Sequence, residues 1–305
     1  MEPRSFLTLE DTGREELREI LDLAAAFAQG RLSDPLANKT VFLAFFEAST
    51  RTAVSFELAA RRSGARVISL SEKGSAIAKG ESLIDTVVTL DRLGADVIVL
   101  RHQAAGAATL ASRHTSAPVI NAGDGCGQHP TQALLDLYAL SEALGGFEGL
   151  QGRRAAVVGD VLHSRVARSV IPGFLRAGME VALVAPLTLL PPDADALGLP
   201  VLSCVDEAVE WGADVLYMLR LQRERMTGAR IPSVAEYASY YGVSRRHLER
   251  GALVMHPGPV NRGVEISGDV VLDASSLIPD QVAAGVCVRS AVLALSTGAT
   301  KRVAA

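Results

Sequence analysis

The sequence predicts an α/β protein built as two doubly wound domains with mainly parallel sheets, joined by long helices. Three observations carry that prediction. Short β-rich runs alternate with helix-patterned stretches along the chain, the rhythm of βαβ units. A long apolar helix pattern, "ALLDLYALSEALGG", divides the runs into two similar sets. At 305 residues, with 49% hydrophobic and 21% charged residues, the chain has material for two cores.

In the first half the strand runs are "TVFLAFF", "RVISL", "ADVIVLR" and "PVINAG". Between them "AVSFELAARRSGA", "SLIDTVVTLDRLG" and "AATLASRH" carry apolar residues at helical spacing, the first two ending near a glycine suited to a C-cap. The second half repeats the pattern with "RRAAVVGD", "MEVALVAP", "PVLSC", "DVLYMLR" and "ALVMH". "GFEGLQG" reads as a turn into the first of these. The last stretch, "DQVAAGVCVRSAVLALSTG", is helical and so apolar that it must pack against something. In sheets of this kind ligands gather at the carboxyl ends of strands, so a crevice between the two domains is expected to collect polar residues that follow strand runs.

Composition excludes several classes. A net charge of -4, with the Arg-Arg pairs at 61–62, 153–154 and 245–246 scattered, gives no reason to expect a nucleic-acid partner. The opening "MEPRSFLTLEDTGREEL" lacks the apolar region of a signal peptide, and no window approaches the uninterrupted apolar length of a membrane span. Cys126, Cys204 and Cys287 are odd in number and widely spaced, which fits neither a disulfide framework nor a zinc site. A cytoplasmic protein with no metal and no cofactor is the expectation.

Residues that follow strand runs form the candidate set. Ser49, Thr50, Arg51 and Thr52 stand where a strand stops and a helix begins. Helix N-termini offer unpaired N–H groups to an anion, and Arg51 adds a planar fork that matches phosphate oxygens. The alternative is a Ser49 cap with exposed neighbours. Arg101 ends its own strand run, either as surface charge or as a second cation facing the same site. In "NAGDGCGQHPTQ", Pro130 suits the first helical position, which puts His129 at or beside the N-cap. There the helix dipole disfavours imidazolium, so a neutral His129 can donate to a carbonyl oxygen or simply cap its helix. Gln132 lies one turn in. Ser75 and Lys79 occupy a glycine-flanked loop, read either as solvated surface or as a lid that brings positive charge to an anionic substrate. "VVGDVLHSRVARS" has only Gly159 of a G-x-G-x-x-G turn, so a nicotinamide site is poorly supported, while Arg165 early in the next helix suits a carboxylate. Arg220 and Gln222 follow another strand run. Two prolines fix the backbone around Gly258 in "HPGPVNRG", leaving carbonyls to accept from an amide.

The ordered motifs "STRT", "KGES", "RH", "HPTQ", "VGD" with Arg165, "RLQRER" and "HPGPVNRG" span nearly the whole chain and resemble the aspartate/ornithine carbamoyltransferase family, its aspartate-specific catalytic chains above all. The resemblance implies transfer of a carbamoyl group from carbamoyl phosphate to the amino group of L-aspartate, a step of pyrimidine biosynthesis. It implies a carbamoyl-phosphate-binding domain over 1–140, completed by a C-terminal helix over 282–305, and an aspartate-binding domain over 141–281. By motif match Ser49, Thr50, Arg51 and Thr52 hold the phosphate with Arg101. Thr52, Arg101 and His129 surround the carbamoyl oxygen, and Gln132, Gly258 and Pro259 orient its NH2. Arg165 and Arg220 clamp the aspartate carboxylates, with Gln222 nearby. Ser75 and Lys79 match residues that the family supplies from an adjacent subunit, which implies a homotrimer. A regulatory chain or another pathway enzyme is a further partner the family allows. Gly258 stands where some members carry leucine; its backbone carbonyl is the atom that matters.

Two rival readings are set beside this one. A transferase for ornithine would show a cysteine in "HCLP", whereas this chain has "HPGP" and an arginine at 220 suited to a second carboxylate. A catalytically silent homologue would lack site residues, and every expected one is present.

Overall fold

The computed structural model describes residues 3–32, 34–71, 80–192, 194–222, 231 and 233–299. The chain divides into two compact units, Met1–Leu135 with Val282–Ala305, and Asp136–Gln281. Both divisions fall inside helices, the first within Pro130–Ala143 and the second within Ile278–Ser296.

The first unit holds a four-stranded sheet of β1 (Thr40–Phe45), β2 (Arg66–Ser71), β3 (Val97–His102) and β4 (Val119–Asp124), ordered β2-β1-β3-β4 and parallel throughout. Helices α1 (Arg14–Ala28), α2 (Thr50–Arg62), α3 (Leu83–Arg92) and α4 (Ala107–Ser112) accompany it, with α5 (Pro130–Ala143) leading out. Val41, Phe42, Leu43 and Ala44 of β1 and Val97 to Leu100 of β3 are all buried, the dense apolar run of a strand covered on both faces. On one face Phe42, Ala44, Ile98, Leu100 and Val119 pack with Val87 and Leu90 of α3 and Ala108 and Ala111 of α4. At the amino ends Asp96 accepts from Lys39 Nζ at 2.9 Å and from Thr40 N at 2.8 Å, joining the starts of β1 and β3.

The second unit holds β5 (Arg154–Val158), β6 (Glu180–Val184), β7 (Val201–Leu202), β8 (Val215–Met218) and β9 (Leu253–Met255), ordered β7-β6-β5-β8-β9 and again parallel. Helices α6 (Arg165–Arg176), α7 (Val205–Trp211) and α8 (Val234–Tyr241) complete it, and α9 (Ile278–Ser296) leads back out. Ala156, Val158, Ala182, Val184, Leu216, Met218 and Val254 form its core with Val205 and Ala208 of α7.

In each sheet the order reverses once, between β1 and β3 in the first unit and between β5 and β8 in the second. Successive helices leave such a point on opposite faces, so an open crevice forms beyond the carboxyl ends of those two strands. All nine expected strand runs are present. Helices α1, α7 and α8 lie beyond the expected elements, although Leu17, Ile20, Leu21 and Ala24 bury one helical stripe of α1. "GFEGLQG" contains one short 3-10 turn, Phe147–Leu150.

One expectation needs correcting. Helix α9 is long and apolar enough to cross a membrane by length and composition, with a mean hydropathy of 1.4. Yet 67% of that window is buried inside the protein, as the packing of so apolar a terminal helix requires. It also carries Arg289, itself buried, over the ring of Phe56 in α2.

Tyr217 is the largest fully buried side chain in the second unit, edge-on to Phe174 and donating from Oη to Asp136 Oδ2 at 2.5 Å. Burial first, then the Asp136 charge and hydrogen bond, raise its phenol pKa well above 10.0. Below pH about 10 both folded and unfolded chains keep this proton and the contribution is constant. Above it the unfolded chain ionises first, so stability falls by about 1.4 kcal/mol per pH unit for each such tyrosine. Tyr217→Phe is expected to flatten that alkaline slope, measured by denaturant unfolding across the alkaline range. Ile98→Ala, at a site of 0% exposure, is expected to cost about 2–5 kcal/mol in the same measurement.

Candidate active site

At the reversal point of the first sheet, Phe45 of β1 lies in register with Arg101 of β3, and Phe46 N bonds Arg101 O at 2.8 Å. The chain beyond β1 turns through Glu47 into α2, with Ser49 at the N-cap. Ser49 makes no side-chain capping bond, so the hydroxyl is not spent on its own helix. Arg51 is exposed on the first turn and Thr52 buried. Desolvation lowers the Arg51 pKa from its ordinary value, yet a guanidinium remains charged at neutral pH.

Arg101 is buried to 7% exposure and aimed by two acceptors. Its Nη1 donates to Ala122 O at 2.9 Å and its Nη2 to Glu47 Oε1 at 3.1 Å. The first bond ties it to the end of β4, where the glycine turn to His129 begins. That turn is organised by Asp124, 3% exposed, whose Oδ1 accepts from Gln128 N at 2.7 Å and Asn121 Nδ2 at 3.1 Å, and whose Oδ2 accepts from Gly106 N at 2.6 Å. Only glycine fits at 125: its φ is +48°, and a Cβ would meet Gln103 O at 2.6 Å. His129 then sits immediately before α5, its carbonyl accepting from Gln132 N at 3.0 Å. Both His129 and Gln132 are buried, at 4% and 8% exposure.

The second unit repeats the arrangement. After β5 the chain turns at Gly159, with φ +118°, where a Cβ would meet Tyr237 Oη at 2.7 Å. Asp160 follows, fully buried, and Ser164 caps α6 by accepting from Ala167 N. Arg165 is the first residue of α6 and 7% exposed. Across the reversal point, β8 runs into Arg220, Leu221 and Gln222. Two carboxylates hold this backbone: Gln222 N donates to Asp160 Oδ2 at 3.3 Å, and Leu221 N to Glu265 Oε1 at 2.9 Å. Glu265 also accepts from Asn261 N at 2.8 Å and Asn261 Nδ2 at 2.7 Å. Gly258 stands after β9 with φ +68°, and the Gly258–Pro259 bond is cis.

The first unit therefore gathers Ser49, Thr50, Arg51, Thr52, Arg101, His129 and Gln132 around the ends of neighbouring strands. The second gathers Arg165, Arg220, Gln222, Gly258 and Pro259 likewise. Ser75 and Lys79 lie outside the described residues. Sequence reasoning missed Glu47, Asp124 and Glu265; Glu47 and Asp124 stand at strand ends, a signal of position alone, while Glu265 lies well past the "HPGP" turn and offers none. Among the described residues no group of three or more His, Cys, Asp or Glu side chains is placed to hold a metal.

The chain resembles known proteins over its whole length. Residues 4–142 match the carbamoyl-P binding domain of aspartate/ornithine carbamoyltransferases, and residues 151–296 match their Asp/Orn binding domain. The aspartate carbamoyltransferase catalytic subunit of Rubrobacter xylanophilus is 77% identical over 305 residues, covering 100% of both chains. That of Caulobacter vibrioides is 49% identical over 300 residues, covering 95% of this chain and 89% of its own. Aspartate transcarbamoylase from Trypanosoma cruzi, solved in complex with N-(phosphonacetyl)-L-aspartic acid, superposes with a TM-score of 0.86 at 31% identity over 96% of each chain. The catalytic subunit of M. jannaschii aspartate transcarbamoylase gives 0.83 at 36% identity, over 98% of this chain and 99% of its own. The chain belongs to the aspartate/ornithine carbamoyltransferase family.

Proposed function

We propose that this chain catalyses the transfer of the carbamoyl group of carbamoyl phosphate to the amino group of L-aspartate, giving N-carbamoyl-L-aspartate and phosphate, within pyrimidine biosynthesis. The observation that carries this reading is Arg101, buried at a strand end and oriented by two acceptors beside the α2 N-terminus with its hydroxyls and Arg51. That is an anion cradle with a second cation set at its edge.

The reaction needs no covalent bond to the protein. A neutral amine attacks a carbonyl whose oxygen gains charge, and donors aimed at that oxygen stabilise the transition state most. Thr52, Arg101 and His129 serve it, Arg101 and His129 each for about 2–4 kcal/mol by analogy with one lost oxyanion donor. Ser49, Thr50 and Arg51 stabilise the departing phosphate, which takes up the amine proton. Gln132 and the carbonyls of Gly258 and Pro259 orient the carbamoyl NH2. Arg165 and Arg220 bind the two aspartate carboxylates, with Gln222 beside them. An arginine at 220 and "HPGP" in place of a cysteine motif favour a dicarboxylic acceptor over ornithine. We read the working unit as a homotrimer in the cytoplasm, with Ser75 and Lys79 reaching a neighbouring protomer's site. Sedimentation mass measured on the active protein checks this.

Arg51→Ala and Arg101→Ala are each expected to abolish nearly all carbamoylation while the circular dichroism spectrum stays unchanged; wild-type turnover in either variant would refute the assignment. His129→Ala is expected to lower kcat, and a change confined to the aspartate KM would contradict its polarising role. Aspartate assayed against ornithine with the same donor separates the two acceptor classes.

A further inference from the structure

Gly258 is held by a run of buried hydrogen bonds that begins far from it in sequence. Gly258 N donates to His256 Nδ1 at 2.7 Å, so that ring nitrogen carries no proton. His256 N donates to Gln281 Oε1 at 2.9 Å, and Gln281 Nε2 donates to Asp136 Oδ1 at 2.7 Å. The other oxygen of Asp136 accepts from Tyr217 Oη. Exposure along this run is 1% at His256, 3% at Gln281, and 0% at Asp136 and Tyr217.

A carboxylate so deeply buried, with the Gln281 amide and the Tyr217 phenol among its donors, is costly for a fold that needed only filling. What it does is geometric. Asp136 can only accept, so the Gln281 amide must present its NH2 to Asp136 and its oxygen to His256. This removes the flip freedom of the amide and fixes the His256 backbone, two residues before Gly258. Asp136 and Gln281 are also the first and last residues of the second unit, so both ends of that segment enter the run.

We propose that Gln281 and Asp136 are positioning residues that aim the Gly258–Pro259 carbonyls at the carbamoyl group. The proposal rests on the function assigned above.

The test uses the full chain with three variants. Gln281→Glu sets two carboxylates face to face. At about pH 8 it is expected to lower kcat by roughly ten- to hundredfold, the factor one lost buried hydrogen bond is worth. The loss is expected to shrink towards about pH 6, as the pair comes to share one proton. The double variant Asp136→Asn/Gln281→Glu restores every donor and acceptor: the asparagine NH2 donates to the introduced carboxylate and its oxygen still accepts from Tyr217. Its kcat is expected to return to within about threefold of wild type at both pH values, because the hydrogen-bond pattern is whole again. Wild-type kcat in Gln281→Glu at about pH 8 overturns the proposal, as does a double variant that melts like wild type without recovering kcat. Gln281→Met, which keeps volume and removes the polar head, covers poor folding of the double variant. Lost kcat with little change in the carbamoyl phosphate KM supports positioning, and an unchanged kcat overturns it. Absence of carbamoylation in the wild-type chain would instead sink the functional reading itself.

Discussion

A parallel sheet covered by helices on both faces can carry polar chemistry only where its strands end. Val41 to Ala44 and Val97 to Leu100 are sealed, as are Ala155 to Val158 and Val215 to Met218. Each buried backbone group there is committed to a neighbouring strand, and no side chain can leave the apolar layer without cost. At the carboxyl ends of the strands, or just past them, stand Glu47, Arg101, Asp124, Asp160 and Arg220. Around them the candidate residues of each unit are arranged.

Release from the sheet does not mean freedom. Carboxylates next to these strand ends are used to gather N–H groups rather than to do acid–base work. Asp124 collects two backbone amides and one side-chain amide, and Glu265 two backbone amides and the Asn261 side chain. Hydrogen bonds to a charged acceptor contribute about 1.5–3 kcal/mol each, enough to hold a loop in one conformation against its chain entropy. For a reaction whose catalysis is mostly aimed donors, loop rigidity of this kind is part of the chemistry. Glu47 has a second effect, since it offsets part of the Arg101 charge while leaving the guanidinium directed.

The nine strands were legible because strands buried on both faces are dense in valine, isoleucine, leucine and alanine. The cations and hydroxyls of the site were legible because they come directly after those strands, and because their order along the chain matches a known family. The carboxylates were not. Glu265 matters through Leu221, 44 residues away, and Asp124 through Gly106, 18 residues away. Nothing local to either residue announces which amide it will reach. Helix α8 was also obscure, since Tyr237, Tyr240 and Tyr241 give it an aromatic rather than an aliphatic stripe.

The first unit is assembled from two pieces of chain, Met1–Leu135 and Val282–Ala305, with the whole of the second unit written between them. On the ribosome, which delivers domains amino end first, this inverts the usual schedule. The larger piece of the first unit emerges before the second unit, yet must wait until the chain beyond that unit is made to finish its core. Ser290 and Arg289 cannot reach Ala59 and Phe56 until then. A nascent chain stalled before residue 282 would carry a complete second unit and an unfinished first one, with the α2 flank as the surface for a chaperone to shield.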